Sequence, residues 1–144
     1  MLEVKFYERV DDDLLSFAVI ISKSNGKWVY CKHKERNTYE IPGGHREKGE
    51  SILEAAKREL MEETGALEFD IEPVCAYSVT GKNRVNETGE ESFGMLYFAD
   101  ITRFADKIDS EMERIEFFDD MPSELTYPLI QPKLMEEVRR RKGI

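Results

Sequence analysis

Four glutamates at fixed spacing are the residues of this sequence best suited to chemistry. Glu59, Glu62 and Glu63 follow Glu50 after nine, twelve and thirteen residues. If the segment is helical, the last three project at roughly 0°, 300° and 40° around the axis, so their carboxylates lie on one face within about 100°. Carboxylate oxygens are the ligands that hard divalent cations such as Mg²⁺ prefer.

The residues around these acids predict one helix, Ile52–Thr64. Ser51 is a favourable N-cap residue, and Glu54 three residues later completes a capping box. Gly65 can adopt the left-handed conformation that ends a helix. The acidic face begins with apolar residues one and two turns earlier, namely Ile52, Ala55 and Ala56. Acid therefore replaces the last third of an apolar stripe that an ordinary amphipathic helix would continue.

The acidic face carries an energetic cost. Like charges three or four residues apart destabilise a helix by roughly 0.2–0.5 kcal/mol per pair, and anions in the last turn oppose the helix dipole by a similar amount. Arg58 can reach Glu54 or Glu62, but one guanidinium cannot neutralise all the acids of the segment. Two interpretations stay open from spacing alone: a divalent metal site, or a solvated acidic helix face of the kind that Glu-rich segments usually form.

The complete pattern resembles the Nudix box, the signature of the Nudix hydrolase family. The matching residues are Gly44, Glu50, Arg58, Glu59, Glu62, Glu63 and Gly65, within the 23 residues Gly44–Ala66. The preceding Tyr39-Glu40-Ile41-Pro42-Gly43-Gly44 is similar to the family's lead-in of an aromatic, an acid, an aliphatic residue, proline and two glycines. One position departs: the bulky aliphatic residue that usually ends the box is Ala66, which affects a packing contact and not the chemistry.

The resemblance implies a fold, a cofactor and a ligand set. Nudix proteins form an α/β/α sandwich around a mixed β-sheet, and we expect residues 1–144 to be a single domain of this kind. The family hydrolyses a nucleoside diphosphate linked to another group and uses Mg²⁺, with Mn²⁺ as an alternative. The implied metal ligands are the carbonyl of Gly43 and the carboxylates of Glu50, Glu59, Glu62 and Glu63. Arg58 is implied to orient a carboxylate of this cluster by ion pairing.

A glutamate is also implied as the general base, either within the box or in the polar segment 102–112. Glu111 is the first candidate in that segment, followed by Glu113 and Glu91. Basic residues just before a Nudix box often face the substrate phosphates, which makes Lys34 and Arg36 candidate contacts. The alternative for either residue is a solvated charge in an exposed loop.

Further substrate contacts are expected where the backbone or an aromatic ring can approach a nucleotide. The glycine pair ending at Gly44 lets the backbone come close to a ligand. Aromatic side chains in strands can stack on a base, but are more often core residues; the candidates are Tyr39, Tyr77, Phe93 and Tyr97. His45 is expected to be a loop residue without a catalytic role.

Charge and composition restrict the partners. Lys and Arg number 21 and Asp and Glu 30, a net charge of −9, which argues against a nucleic-acid backbone or an anionic membrane as the main partner. The N-terminal residues carry charge instead of a secretory apolar core. Cys31 and Cys75 are expected to be buried free thiols. We therefore expect a cytoplasmic protein that takes a small nucleotide; many Nudix relatives form homodimers, but the sequence does not give the oligomeric state.

Alternation and turn signals predict the remaining elements. Residues 2–7 alternate as a half-buried strand, and Asn25-Gly26 predicts a hairpin that pairs 14–22 with 27–32. Further strands are predicted at 69–80, 92–101 and 115–118, separated by the polar loops 81–91 and 102–112. Pro132 begins a C-terminal amphipathic helix.

The sequence allows several classes of substrate. Several markers of Nudix subfamilies that act on ADP-ribose, NADH or diadenosine polyphosphates are missing, which leaves the compact MutT-like group. The first hypothesis is cleavage of a nucleoside triphosphate, such as oxidised 8-oxo-dGTP, to a monophosphate and pyrophosphate. The alternatives are removal of pyrophosphate from RNA 5′-triphosphate ends, a Nudix domain that senses a nucleotide without catalysis, and a scaffold without ligand.

Overall fold

A mixed β-sheet with one helix on each face positions the acidic segment. The computed structural model describes residues 2–83, 86–108 and 110–144. Within these residues the strands are β1 (Glu3–Tyr7), β2 (Leu15–Ser24), β3 (Lys27–His33), β4 (Tyr39–Glu40), β5 (Gly43–His45), β6 (Ala66–Thr80), β7 (Ser92–Phe104) and β8 (Met112–Phe118). The helices are α1 (Ile52–Thr64) and α2 (Gln131–Lys142), and a short 3₁₀ helix covers Asp12–Leu14.

Strand β2 is the centre of the sheet. The strand order is β1-β6-β7-β2-β3-β4, with β5 also paired to β2 and β8 to β3. Strands β2 and β7 are parallel, whereas the other pairs of strands are antiparallel. The predicted mixed sheet and α/β/α architecture are therefore confirmed.

The two helices bury opposite faces of β2, because successive side chains of a strand point to opposite sides. On one face Ala18 and Ile20 pack in a cluster with Leu60 of α1. On the other face Ile21 packs in a cluster with Leu134 of α2. The β-branched and aromatic residues on both faces of β2 suit a strand that is covered by a helix on each side.

The hairpin after β2 forms as predicted. Asn25 and Gly26 have φ angles of 52° and 78°, the left-handed pair that a type I′ turn requires. Strands β2 and β3 pair through Lys23 with Trp28 and Ser24 with Lys27.

Several predicted boundaries differ from those observed. Strand β6 begins at Ala66, three residues earlier than predicted, and β7 continues to Phe104, because the two strands pair with each other from Ala66 opposite Phe104 onwards. The predicted loop 102–112 is consequently shorter. His45, predicted in a loop, belongs to β5, which pairs with β2 at Phe17. Arg84, Val85 and Asp109, in the two predicted loops, lie outside the described residues.

Both cysteines are buried free thiols, as predicted. Burial raises the pKa of the Cys31 thiol well above its ordinary value and also raises the pKa of Cys75. No helix among the described residues is long and apolar enough to cross a membrane.

Candidate catalytic site

Helix α1 presents the acidic residues from a well-defined backbone. The Ser51 hydroxyl accepts a hydrogen bond from the Glu54 N–H at 3.1 Å, and the Glu54 carboxylate accepts one from the Ser51 N–H at 2.8 Å. Gly65 ends the helix at φ 76°. Both ends of the helix are thus fixed by local contacts, as the sequence predicts.

Two of the acids are nearly buried against the glycine pair. Glu59 and Glu63 are 9% and 5% exposed. Glu63 Oε1 accepts a hydrogen bond from the Gly43 N–H at 2.8 Å. The Glu59 carboxylate lies directly over Gly44, where any Cβ atom would overlap it. The second glycine therefore provides the space that the Glu59 side chain occupies.

Arg58 connects the other acids. Its Nε donates to Glu50 Oε2 at 2.6 Å and a terminal nitrogen donates to Glu50 Oε1 at 3.0 Å, a two-pronged pair of the strong kind. Its other terminal nitrogen lies 3.4 Å from both Glu59 Oε1 and Glu62 Oε2. The same side chain also donates to the His45 carbonyl at 3.0 Å, which ties α1 to β5.

Burial gives the two inner carboxylates unusual proton affinities. Desolvation raises the pKa of Glu63 to about 9 and that of Glu59 to about 7, partly opposed by the Gly43 N–H at Glu63 and by the Arg58 charge at Glu59. The Arg58 hydrogen bond instead lowers the pKa of Glu50. Buried carboxylates without a compensating cation are costly to ionise, so this pair favours either a proton or a cation.

The three candidates for an additional base occupy different surroundings. The Glu111 charge is close enough to raise the pKa of both Glu59 and Glu63, and Glu111 is exposed immediately before β8. Glu113 pairs with Lys32 at 3.3 Å and with Arg114. Glu91 accepts hydrogen bonds from Tyr7 at 2.9 Å and from Ser78 at 2.7 Å. Of the three, Glu111 is brought to the acidic cluster.

A cavity of about 120 Å³ begins at the same glycine pair. Gly43 and Gly44 line it, together with apolar side chains of β2, β6 and α2, of which Phe17, Tyr77 and Leu134 are examples. The ring of His45 packs on that of Phe17 with 4.4 Å between centroids. The acidic cluster and a largely apolar cavity therefore share one wall.

Two polar residues of the cavity, Glu40 and Gln131, were not predicted to have a role in the site. Glu40 is 8% exposed and pairs with Arg36 at 3.0 Å. Gln131 is 6% exposed, and its side-chain oxygen accepts from the Ile41 N–H at 2.9 Å. The only sequence signal for Gln131 is its place beside Pro132, which indicates the start of a helix and not a ligand site.

The candidate substrate contacts fall into three groups. Gly44 and Tyr77 line the cavity. Arg36 points its guanidinium to Glu40, and Lys34 is exposed in the turn after β3. Tyr39, Phe93 and Tyr97 are not among the residues that line the cavity. The ring of Tyr39 packs edge-on against that of Phe118, and the ring of Phe93 packs at a tilt against that of Tyr7.

The donor set suits a hard divalent cation, because Glu59 and Glu63 are carboxylates buried without equal positive charge. Among the described residues, however, no three acidic, histidine or cysteine side chains converge on one point. Glu62 is paired with Arg58 and its side chain is half-exposed. The cluster therefore has ligand types suited to a metal site, while the Glu62 carboxylate is paired with the Arg58 guanidinium.

Fold and site together define a hydrolase of the Nudix type, and comparison with known proteins agrees. The family model of the NUDIX domain matches residues 13–136, so this chain belongs to the Nudix family. Enzymes of the family generally use a divalent metal.

Two Bacillus subtilis proteins are among the relatives. The putative 8-oxo-dGTP diphosphatase YtkD of strain 168 is 32% identical over 126 residues, which cover 87% of this chain and 75% of YtkD. The crystal structure of the pyrophosphohydrolase BsRppH, as its E68A mutant, superposes with a TM-score of 0.76 at 26% identity, covering 96% of this chain and 90% of BsRppH. These similarities agree with the assignment of the chain to the Nudix hydrolases.

A more distant structure shares the fold. The Nudix domain of Shewanella oneidensis NrtR, solved with ADP ribose, has a TM-score of 0.64 at 19% identity and covers 89% of this chain and 88% of its own. Nudix neighbours of this chain therefore include a protein that binds a nucleotide-derived ligand.

Proposed function

We propose that this chain is a Mg²⁺-dependent pyrophosphohydrolase that cleaves a nucleoside 5′-triphosphate to a monophosphate and pyrophosphate, with oxidised dGTP as the first candidate substrate. The observation that carries the proposal is the shared wall at Gly43 and Gly44. Glu63 and Glu59 contact these glycines on one side, and the cavity opens on the other. A nucleotide with its base in the cavity has its phosphates beside the carboxylates.

The carboxylates of Glu59, Glu62 and Glu63 hold the cation in this proposal, with Glu50 and the Gly43 carbonyl as further ligands. When bound, a divalent cation neutralises phosphoryl oxygens and lowers the pKa of a coordinated water. Arg58 keeps Glu50, Glu59 and Glu62 in one group through the contacts described above. The net charge of −9 makes such a cation the main attraction for an anionic substrate.

Glu111 is the proposed general base. It removes a proton from the attacking water, whose oxygen forms a new bond to phosphorus while the anhydride bond between the α- and β-phosphates breaks and pyrophosphate leaves. Its exposure leaves it available to water, and its effect on the pKa of Glu59 and Glu63 supports its proximity to the cluster. Lys34 and Arg36 are proposed to approach the departing phosphates from the loop before the box.

The oxidised base is supported by one relative. The likeness to YtkD, at 32% identity over most of the chain, favours 8-oxo-dGTP over other triphosphates. We propose the cytoplasm as the location of the enzyme, because free nucleotides are available there.

The second candidate function is removal of pyrophosphate from RNA 5′ ends. It is favoured by the structural likeness to the pyrophosphohydrolase BsRppH over 96% of this chain. The strongly acidic composition counts against it, because an RNA chain brings several further phosphates to the surface.

Product analysis distinguishes these functions. The purified chain is incubated with 8-oxo-dGTP, dGTP, the four ribonucleoside triphosphates and a 5′-triphosphorylated oligoribonucleotide, each with Mg²⁺, Mn²⁺ or EDTA, and the products are separated by anion-exchange chromatography. We expect a free nucleotide to yield monophosphate and pyrophosphate, with the highest kcat/KM for 8-oxo-dGTP. In EDTA we expect no product. Faster release from the oligonucleotide would favour the RNA function. Nucleotide binding without any release would indicate a sensor and overturn the proposal.

A further inference from the structure

The cavity beside the catalytic glycines is suited to one end of a nucleotide. At about 120 Å³ it is smaller than the roughly 300–1,000 Å³ of pockets that enclose a whole drug-sized ligand. Phe17, Val19, Tyr77 and Val79 provide apolar walls. A flat, neutral group such as a nucleobase fits this lining better than a phosphate does.

The start of α2 supplies no anion site in this cavity. The main-chain N–H of Gln131 bonds to the Tyr127 carbonyl at 3.0 Å, and those of Lys133 and Leu134 bond to the Ile130 carbonyl at 3.1 and 3.2 Å. Residue 132 is proline and has no N–H. The helix terminus therefore offers the occupant no backbone donor.

Gln131 offers a side-chain donor of fixed orientation. Because its amide oxygen is held by the Ile41 N–H at 2.9 Å, the amide plane is set and the NH₂ group is the part left to a ligand. Among the described residues, no hydrogen-bond acceptor binds this NH₂ group. Because Gln131 lines the cavity and is only 6% exposed, an occupant that displaces water from this NH₂ group must supply an acceptor in its place.

Two other polar side chains of the cavity, Glu40 and Asn83, already make hydrogen bonds within the protein. The Glu40 carboxylate accepts from Arg36 at 3.0 Å and from Thr126 at 3.4 Å. The Asn83 amide donates to the Gly81 carbonyl at 3.1 Å. The Gln131 amide, fixed by the Ile41 N–H, therefore offers a donor of set orientation that can read the edge of a base.

We propose that Gln131 is the residue that selects the base, by donating from its amide NH₂ to a carbonyl oxygen of a 6-oxopurine or 4-oxopyrimidine. This assignment rests on the proposed nucleotide function. Guanine and uracil carry an acceptor oxygen at this position, whereas adenine and cytosine carry an amino donor. An amino group facing Gln131 would leave two donors opposed and both without a partner.

The contact with Ile41 extends the role of Gln131 to the catalytic segment. Ile41 is followed by Pro42, whose carbonyl accepts a hydrogen bond from the Ile20 N–H at 2.9 Å. Gly43 comes next, and its N–H donates to Glu63. A base bound at Gln131 therefore contacts a side chain that is hydrogen-bonded to Ile41, two and three residues before the glycines of the site.

The test measures base preference in matched variants. Gln131→Glu keeps an oxygen for the Ile41 N–H but replaces the NH₂ donor by an acceptor, and Gln131→Leu removes both groups. Lys133→Gln, on an exposed residue of the same helical turn, changes the net charge by −1, as Gln131→Glu does. For each protein, kcat/KM is measured with GTP, ATP, UTP and CTP, and thermal unfolding is recorded.

We expect the unaltered chain to prefer GTP over ATP, and UTP over CTP, by about tenfold or more. Gln131→Glu and Gln131→Leu should reduce both ratios at least tenfold, and Lys133→Gln should leave them unchanged. A purely structural Gln131 would alter all four rates together and leave the ratios intact, which would overturn the assignment.

A binding measurement separates this inference from the proposed activity. The affinities of the non-hydrolysable imido analogues of GTP and ATP are compared by calorimetry in the same four proteins. If no nucleotide is hydrolysed, the proposed function fails, but a GTP preference in binding that is lost in Gln131→Glu would still support base selection. Equal affinities for both analogues in the unaltered chain would overturn it.

Discussion

Arg58 and Glu50 are eight residues apart and are joined by two hydrogen bonds, of 2.6 and 3.0 Å. Glu50 precedes the N-cap of α1, and Arg58 lies two turns into the helix. The pair therefore closes the loop after β5 onto the helix, and it leaves the remaining nitrogen of Arg58 beside Glu59 and Glu62.

Replacing Arg58 by lysine should reduce activity by about ten- to a hundredfold, because an ammonium group cannot make the planar two-pronged pair. The measurement is kcat/KM for the best substrate at saturating Mg²⁺. Arg103→Lys is the matched control, since Arg103 and Glu68 form an exposed pair that contributes little. Equal activity of Arg58→Lys and the unaltered chain would show that the pair does not organise the site.

Glu62→Gln should leave the fold intact and reduce turnover about a hundredfold or more, as expected on loss of a preorganised electrostatic group. Single-turnover rates and a thermal unfolding curve are recorded together. Glu54→Gln is the control, because glutamine preserves the capping box and Glu54 has no proposed role in the reaction. Glu87, exposed in the loop after β6, should likewise be dispensable. Normal turnover of Glu62→Gln would remove this residue from the site.

The sequence predicted α1 with both of its ends, because the capping box and the left-handed glycine are each local signals at the helix end that they define. It could not predict the pairing of β5 with β2 or the length of β7, which depend on partners distant in the chain. Gln131 was missed for the same reason, since its partner Ile41 lies 90 residues away.

Gly44→Ala should lower activity by displacing Glu59, because a Cβ atom at this position overlaps the Glu59 carboxylate. We expect about a hundredfold loss of kcat/KM, comparable with that of Glu59→Ala. The double variant should be no worse than Glu59→Ala alone, since coupled neighbours are not additive. Additive losses would indicate that Gly44 acts through the backbone and not through Glu59.

Without metal, the stability of the chain should fall as the pH rises from about 5 to 9. The folded state raises the pKa of Glu63 from 4.5 to about 9 and of Glu59 to about 7, so the folded chain binds more protons than the unfolded chain in this range and loses that advantage on deprotonation. Thermal unfolding in EDTA across this range measures the effect.

Glu63→Gln should flatten this pH dependence and raise Tm at pH 8 in EDTA by a few degrees, while abolishing turnover. Glu68→Gln, on an exposed residue, is the control and should follow the unaltered chain. An unchanged pH dependence in Glu63→Gln would mean that this carboxylate is already ionised in the folded protein without metal.

Glu111→Gln should lower kcat by about a hundredfold or more with little change in KM, because general base catalysis contributes roughly 10²–10⁴. Glu113→Gln is the matched control two residues further on, in β8, where the carboxylate is bound to Lys32 and Arg114. If the Glu113 variant loses kcat and the Glu111 variant does not, the base has been assigned to the wrong residue.

Peroxide attacks cysteine as the thiolate, and only where it can reach the sulfur. Cys31 lies beneath α1, with its Sγ donating to the Glu63 carbonyl at 3.4 Å, and Cys75 is shielded in the core on the opposite side of the sheet. Neither thiol offers an oxidant an accessible thiolate. We therefore expect both cysteines to stay reduced under the oxidising conditions that also produce oxidised guanine nucleotides.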